Sequence, residues 1–260
     1  MTAYERVQAA RQKGRPTSCY YIERLFQDFL ELHGDRRYAD DHAIVGGIAT
    51  LEGQPVTVIG IEKGVETKEK IARNFGSAHP EGYRKALRLM RQAEKFHRPV
   101  ICLIDTSGAF CGIGAEERGQ GEAIAENLMA MMGLRVPIIS VLIGEGGSGG
   151  ALALGVADRV WMLENAVYSV ISPEGAASIV WKSAAKAPEA SEALRLTADD
   201  LLGFQMVDRV FSEQNGDFEA VCGTLREVLT AELQGLLALP AAELTEKRYA
   251  KFRMIGGDGT

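Results

Sequence analysis

What the chain has little of narrows its class. It holds four cysteines, Cys19, Cys102, Cys111 and Cys222, and no two stand in a C-x-x-C spacing. That argues against a disulfide framework or a zinc site and makes a reducing cytoplasm the expected location. Histidine is as scarce: His33, His42, His79 and His97 are the complete set. No apolar run approaches the roughly 18 residues of a membrane span. The opening "MTAYERVQAARQKGRP" has no apolar core for a secretory signal, so neither membrane nor export is expected. Positive charge is in deficit. A net charge of −6 argues against nucleic acid as the main partner.

What is present is a soluble-protein composition with a strong β-α rhythm. The residues up to about Lys13 read as an amphipathic helix, and "RPTSCYYIERLFQDFLELHG" as a second, with Thr17 or Ser18 as N-cap and Gly34 at its stop. "IVGGIATLEGQPVTVIGIEKG" reads as two strands joined by a turn. In "PEGYRKALRLMRQAEKFH" the apolar residues Tyr83, Leu87, Met90 and Ala93 fall at helical spacing. From there helices alternate with the buried strands "RPVICLIDTSG" and "VPIISVLIG" and the strand or strand pair "RVWMLENAVYSVIS". The helices between and after them are "AEERGQGEAIAENLMAMMGL", "GGALALGVA" and "PEGAASIVWKS". Repeated β-α units imply parallel strands and right-handed crossovers. Ligands of such folds sit at the carboxyl ends of the strands. Two glycine-rich turns occupy such ends, "DTSGAFCGIG" and "GEGGSGG". The tail from Thr197 reads as helical, with one short strand near "MVDRVFS".

The stretch Gly144 to Gly155, "GEGGSGGALALG", supports three chemical readings. Gly144-x-Gly146-x-x-Gly149 fits a dinucleotide fingerprint, with Glu164 about 20 residues on to take a ribose hydroxyl. Gly146-x-Ser148-x-Gly150 fits a nucleophile elbow, but that device expects a later histidine, and all four lie upstream. In the third reading the bare backbone amides serve an oxyanion. Glycines allow a close approach, and the first N–H groups of a helix have no partner of their own. A purely architectural role for the glycines, in helix–strand packing, stands beside all three.

Longer segments carry a resemblance. They are "HGDRRYADDHAIVGGIATLEGQPVTVIG", "KGVETKEKIARNFGSAHPEGYRKALRLMRQAEKF", "IDTSGAFCGIGAEERGQGEAIAENL", "VPIISVLIGEGGSGGALALGVADRVWMLENAVYSVISPEGAASIVWKSAAKAPEA" and "LTEKRYAKF". From about Tyr21 to Phe252 the chain resembles the alpha subunits of the carboxyltransferase component of bacterial multi-subunit acetyl-CoA carboxylase. The resemblance implies an α/β crotonase-like (ClpP/crotonase) spiral of ββα units with flanking helices. A helical segment over 1–34, a core over 35–212 and a helical tail over 213–260 would be its parts. It implies a transferase active only with a beta subunit, in an α2β2 assembly. Carboxyl would pass from carboxybiotin on the biotin carboxyl carrier protein to acetyl-CoA, giving malonyl-CoA for fatty acid synthesis. No cofactor or metal would be bound by the chain itself, and ATP would be used by the separate biotin carboxylase.

Residue roles follow from the same resemblance. The amides of Gly149 and Gly150 would form the oxyanion hole for the biotin ureido oxygen, with Gly108 and Ala109 in support. Gly146, Gly147, Phe110 and Arg118 would line the substrate site. Arg118, with Glu116 or Glu117, would shape the biotin pocket or else form an ion pair. Lys63, Lys68, Lys70 and Arg73 would attract the phosphates of CoA or the carrier, or else form a solvated face. Leu128, Met129, Met131 and Met132 would belong to the core or a subunit interface. The chain departs from the family's pattern where Ser107-Gly108-Ala109-Phe110-Cys111 replaces a turn that often carries proline. It departs again at "SEQNGDFEA" and in a short N-terminal helical extension.

Overall fold

Stretches filled with valine, isoleucine and leucine become the middle of the molecule. The computed structural model describes residues 1–256. Strand β4 (Val100–Thr106) is buried along its whole length, and β5 (Ile138–Gly147) is buried through Gly144. Strands covered on both faces are what parallel sheets require. Before them, β2 (Ile44–Leu51) and β3 (Gln54–Ile61) form the expected antiparallel hairpin, and after them come β6 (Arg159–Leu163), β7 (Val167–Ser169) and β8 (Arg209–Phe211). With β1 (Gln27–Glu31) they make one eight-stranded sheet in the order β1-β2-β3-β4-β5-β6-β8. From β3 to β8 every pairing is parallel. β5 is long enough to pair with β6 through Ile139–Leu142 and then with β7 through Glu145–Gly147.

Helices cover the sheet. They are α1 (Ala3–Ala10), α2 (Ser18–Leu25), α3 (Thr67–Ala72), α4 (Pro80–Lys95), α5 (Ile113–Glu117) and α6 (Gln120–Gly133). The series continues with α7 (Ser148–Leu152), α8 (Pro173–Trp181), α9 (Ala187–Leu194), α10 (Ala198–Gly203), α11 (Phe218–Leu237) and α12 (Ala241–Met254). α4 begins at Pro80, and α8 has Pro173 as its first residue and Ser172 as its side-chain N-cap. α2 and α11 contribute Tyr21, Ile22, Leu225 and Leu229 to the same hydrophobic core as the central strands. No helix among the described residues is long and apolar enough to cross a membrane.

Three elements differ from the sequence reading. The second helix ends at Leu25, and Gln27–Glu31 is a strand paired with β2. Its local pattern is helical, but the open edge of the hairpin captures it, and tertiary pairing overrides propensity. Gly47 makes this possible: a Cβ there would lie 2.1 Å from the Leu30 carbonyl oxygen. Gly34 closes the following turn at φ +78°. The long helix expected from Ala115 to Leu134 is broken at Gly119, which takes φ +82° between α5 and α6. The helix after β5 is only five residues long. In the methionine stripe of α6, Met131 is core while Met129 is 79% exposed.

One buried charge on α4 gives a pH-dependent contribution. The Lys85 ammonium is fully buried, 2.6 Å from Asp40 Oδ1 and 2.8 Å from the Asp41 carbonyl. Burial pushes the Asp40 carboxyl up, but Lys85 and the Gly34 amide outweigh it and hold it well below the usual carboxylate range. A lowered acid stabilises the fold above its unfolded pKa of about 4 and loses that contribution as pH falls further. Asp40→Asn is therefore expected to lower Tm at pH 7, and the deficit relative to wild type should shrink below about pH 4 in a thermal-melt series. A deficit independent of pH would remove the charge from the account.

Candidate functional site

The two glycine-rich turns leave the carboxyl ends of neighbouring strands and touch each other. At the end of β4, Thr106 Oγ1 accepts from the Gly108 amide at 3.0 Å and donates to the Gly108 carbonyl at 2.9 Å, with Gly108 at φ +148°. At the end of β5, the Glu145 amide donates to Asp105 Oδ1 at 2.8 Å. A Cβ on Gly147 would lie 2.1 Å from the Ser107 carbonyl oxygen. One on Gly150 would lie 2.5 Å from the Ala109 nitrogen and 2.9 Å from the Tyr83 hydroxyl. Gly147 and Gly150 thus pack directly on the Ser107–Ala109 backbone, and at these two positions only a residue without a Cβ fits.

Gly149 differs. The nearest atom to a Cβ there is Ile124 Cδ1 at 3.6 Å, ordinary contact. Gly149 faces a hollow of about 380 Å³ whose other walls include Leu152, Tyr168, Leu201, Phe204 and Met206. Burial pushes the Tyr168 phenol up to about 12, so it stays neutral. The amides of Gly149 and Gly150 open α7, where no acceptor exists one turn back. Among the described residues neither donates to an acceptor outside the helix. α7 is too short for a sizeable dipole. The donors themselves are what the site offers.

The other two readings of this stretch lose their geometry. Gly144 and Gly146 lie inside β5, not in a turn, and a Cβ on Gly144 would meet the Asp105 carboxylate at 2.4 Å. Their glycines serve strand packing, and the five-residue α7 gives no long helix for a pyrophosphate. Ser148 is exposed with φ 49°, an elbow-like strain for a non-glycine residue. Yet among the described residues no histidine hydrogen-bonds its hydroxyl. His33 faces Asp40, and His79 faces Asn74.

Phe110 and Arg118 sit to one side. Phe110 stacks on His79 with ring centroids 4.0 Å apart, and its amide donates to the Ala78 carbonyl at 3.0 Å. Arg118 pairs with Glu81 at 2.8 Å and lies over the Tyr38 ring at 4.7 Å, lining a separate hollow with His79 and Asp41. The ion pair is the arrangement seen for Arg118, and Glu116 and Glu117 are exposed. The basic cluster is divided. Arg73 pairs with Glu69 and Lys68 is exposed, while Lys63 turns inward.

The inward turn joins Lys63 to two carboxylates, Asp105 and Glu145, that sequence reasoning missed. Lys63 Nζ lies 2.7 Å from Asp105 Oδ1 and 2.7 Å from Glu145 Oε2. Glu145 also accepts from Arg11 Nε at 2.6 Å, and Arg11 pairs with Glu174 at 2.7 Å. Burial opposes the Lys63 charge, but the two carboxylates outweigh it and raise its pKa. Burial raises the Asp105 carboxyl against the pull of Lys63, whereas for Glu145 the opposite charges of Lys63 and Arg11 prevail and its pKa is lowered. The signal available in the sequence was one lone charge near the end of each of two apolar runs, Asp105 and Glu145, and the pair Glu62-Lys63 at the end of a third. No group of histidine, cysteine or carboxylate side chains suited to a metal occurs among the described residues.

A family model described as acetyl co-enzyme A carboxylase carboxyltransferase-like matches residues 1–256. The chain belongs to that family. It is 60% identical over 256 residues to the acetyl-coenzyme A carboxylase carboxyl transferase subunit alpha of Ruminiclostridium cellulolyticum, covering 98% of each chain. Among solved structures, transcarboxylase 12S aligns with a TM-score of 0.67 at 21% identity over 85% of this chain, which spans 42% of that one. A Pseudomonas malonate decarboxylase hetero-tetramer in complex with coenzyme A gives 0.67 at 20% identity, covering 84% of this chain and 90% of that one. Likeness at these identities speaks for the fold, the crotonase-like α/β fold expected of the family. The contact between the β4 and β5 turns is therefore a feature of a carboxyltransferase-like chain.

Proposed function

We propose that this chain is the alpha subunit of an acetyl-CoA carboxylase carboxyltransferase, moving carboxyl from carboxybiotin to acetyl-CoA to give malonyl-CoA. The observation that carries the reading is the start of α7, where Gly149 lines an apolar hollow and the amides of Gly149 and Gly150 donate to no acceptor outside the helix among the described residues. Carboxybiotin cleaves at its N–CO2 bond to CO2 and a ureido anion. That anion takes a proton from the acetyl methyl group, and the enolate formed attacks CO2. No protein nucleophile is needed, in keeping with a Ser148 that has no histidine base. What must be stabilised is negative charge on the ureido oxygen. Fixed backbone donors there are worth about 10²–10³ in rate each, and an apolar surrounding strengthens them.

The acetyl-CoA enolate needs a second oxyanion hole, which we assign to a beta subunit in an α2β2 assembly. Support comes from exposed apolar side chains: Val170 and Phe204, which line the hollow, are 76% and 48% exposed, and Ile179 and Val180 of α8 are 63% and 64% exposed. Apolar surface of this extent beside a site suits a protein partner. Carboxybiotin arrives on the biotin carboxyl carrier protein, charged by biotin carboxylase at the expense of ATP, in the cytoplasm. The test is malonyl-CoA-dependent carboxylation of biocytin by the purified chain, with and without a beta subunit. Activity is expected in the mixture alone; a silent mixture, or an active lone chain, overturns the assignment. Ser148→Ala is expected to keep most of that activity in the same assay. Complete loss would restore Ser148 as a nucleophile.

A further inference from the structure

Three adjacent strands each place one charge at the rim below the site. Lys63 follows β3 by two residues, Asp105 is the penultimate residue of β4, and Glu145 lies two residues before the end of β5. Their side chains are only 18%, 6% and 12% exposed. Asp105 precedes Thr106, whose hydroxyl fixes Gly108, and Glu145 precedes Gly146 and Gly147, which end β5 and lead into α7. We infer that Lys63 is a positioning residue for carboxyl transfer: its ammonium clasps Asp105 to Glu145 and so holds the two glycine turns in register. The inference rests on the carboxyltransferase reading above.

The physical argument is one of like charges. Two carboxylates that share a buried site repel unless a cation or a proton stands between them. Lys63 supplies the cation, and the Asp105 Oδ1 bond to the Glu145 amide completes the clasp. Packing leaves no slack, since the Asp105 carboxylate already fills the place of a side chain at Gly144. Without Lys63 the strand ends would move apart, carrying Gly108 and Ala109 away from Gly150. A displacement of about 1 Å at such donors is enough for a loss of about 10²-fold. The other charges facing this clasp are Arg11 and Glu174 from the α1 and α8 side, with Arg15, itself paired with Glu213, and Lys70 across a hollow of about 220 Å³.

The experiment uses the chain assembled with its beta subunit. In Lys63→Met, kcat for biocytin carboxylation should fall about 10²-fold with KM for malonyl-CoA little changed. Relative to wild type, its kcat should recover as pH is lowered from about 8 to about 6, because the carboxylate pair then takes up the missing proton. Lys63→Met/Asp105→Asn removes the repulsion, while the carboxamide oxygen it introduces can still accept from the Glu145 amide. This double variant should therefore regain most of kcat and lose the pH response. A residue that merely stabilises the fold would lower Tm without this kcat-only, pH-reversible pattern. Should Lys63→Met fail to assemble, the double variant decides: wild-type-like kcat supports the clasp, and a loss as deep as about 10²-fold overturns it. Unchanged kcat in Lys63→Met, beside an active wild type, overturns the inference alone. An inactive wild-type mixture removes the parent reading and this inference with it.

Discussion

Gly150→Val is expected to abolish carboxyl transfer while the chain stays folded and still assembles with a beta subunit. The first atom of the new side chain would lie 2.5 Å from the Ala109 nitrogen, 2.8 Å from the Gly108 carbonyl carbon and 2.9 Å from the Tyr83 hydroxyl. Two of these are backbone, so relief comes only by moving a turn. Moving either turn displaces the amides at Gly149 and Gly150 from the oxygen they would serve. With two donors each worth about 10²–10³, the loss should exceed about 10⁴-fold in kcat. Gly149→Ala is the matched contrast. Its Cβ meets only Ile124 at 3.6 Å, and its amide remains, so activity should stay within about tenfold of wild type. Biocytin carboxylation measures both, and circular dichroism with size exclusion checks the fold. A fully active Gly150→Val would end the oxyanion-hole assignment.

That contrast marks what sequence alone can and cannot express. The strands β4 and β5 were legible because valine, isoleucine and leucine fill them without alternation, and α4 was legible because its apolar residues keep helical spacing. β1 was not, because its partner is an open hairpin edge and nothing in "FQDFLELHG" announces it. The glycine turns were legible as features, and their resemblance to a family named their chemistry. Their mutual contact was not, since Gly147 and Ser107 meet only when two parallel strands end side by side. The clasp was hidden for the same reason. Lys63 and Glu145 are 82 residues apart, and the lysine's neighbours in sequence mix the buried Glu62 with the exposed Glu66 and Lys68. Nonlocal register is what turns lone charges into a buried network.

The largest stability effect is expected far from the site, at Arg248. This residue of α12 is 1% exposed and bonds Asp158 through both carboxylate oxygens, at 2.9 and 2.8 Å. It also donates to the carbonyls of Met131, Leu134 and Val136, which end α6 and lead into β5. Asp158 in turn accepts from the Ile138 amide at 2.7 Å, at the first residue of β5. Arg248→Met would leave a buried carboxylate without its cation. Breaking such a pair from one side costs about 3–5 kcal/mol, more than its net contribution, because the stranded charge remains. At about 2–4 °C per kcal/mol for a chain of this size, Tm should fall by about 10 °C. Lysine should rescue only part of this, since a point charge cannot match a bidentate fork. Arg248→Met/Asp158→Asn should melt above Arg248→Met alone, because the stranded charge is then gone. A single variant that melts within about 2 °C of wild type would show that water reaches Asp158 and that α12 is not anchored by this pair.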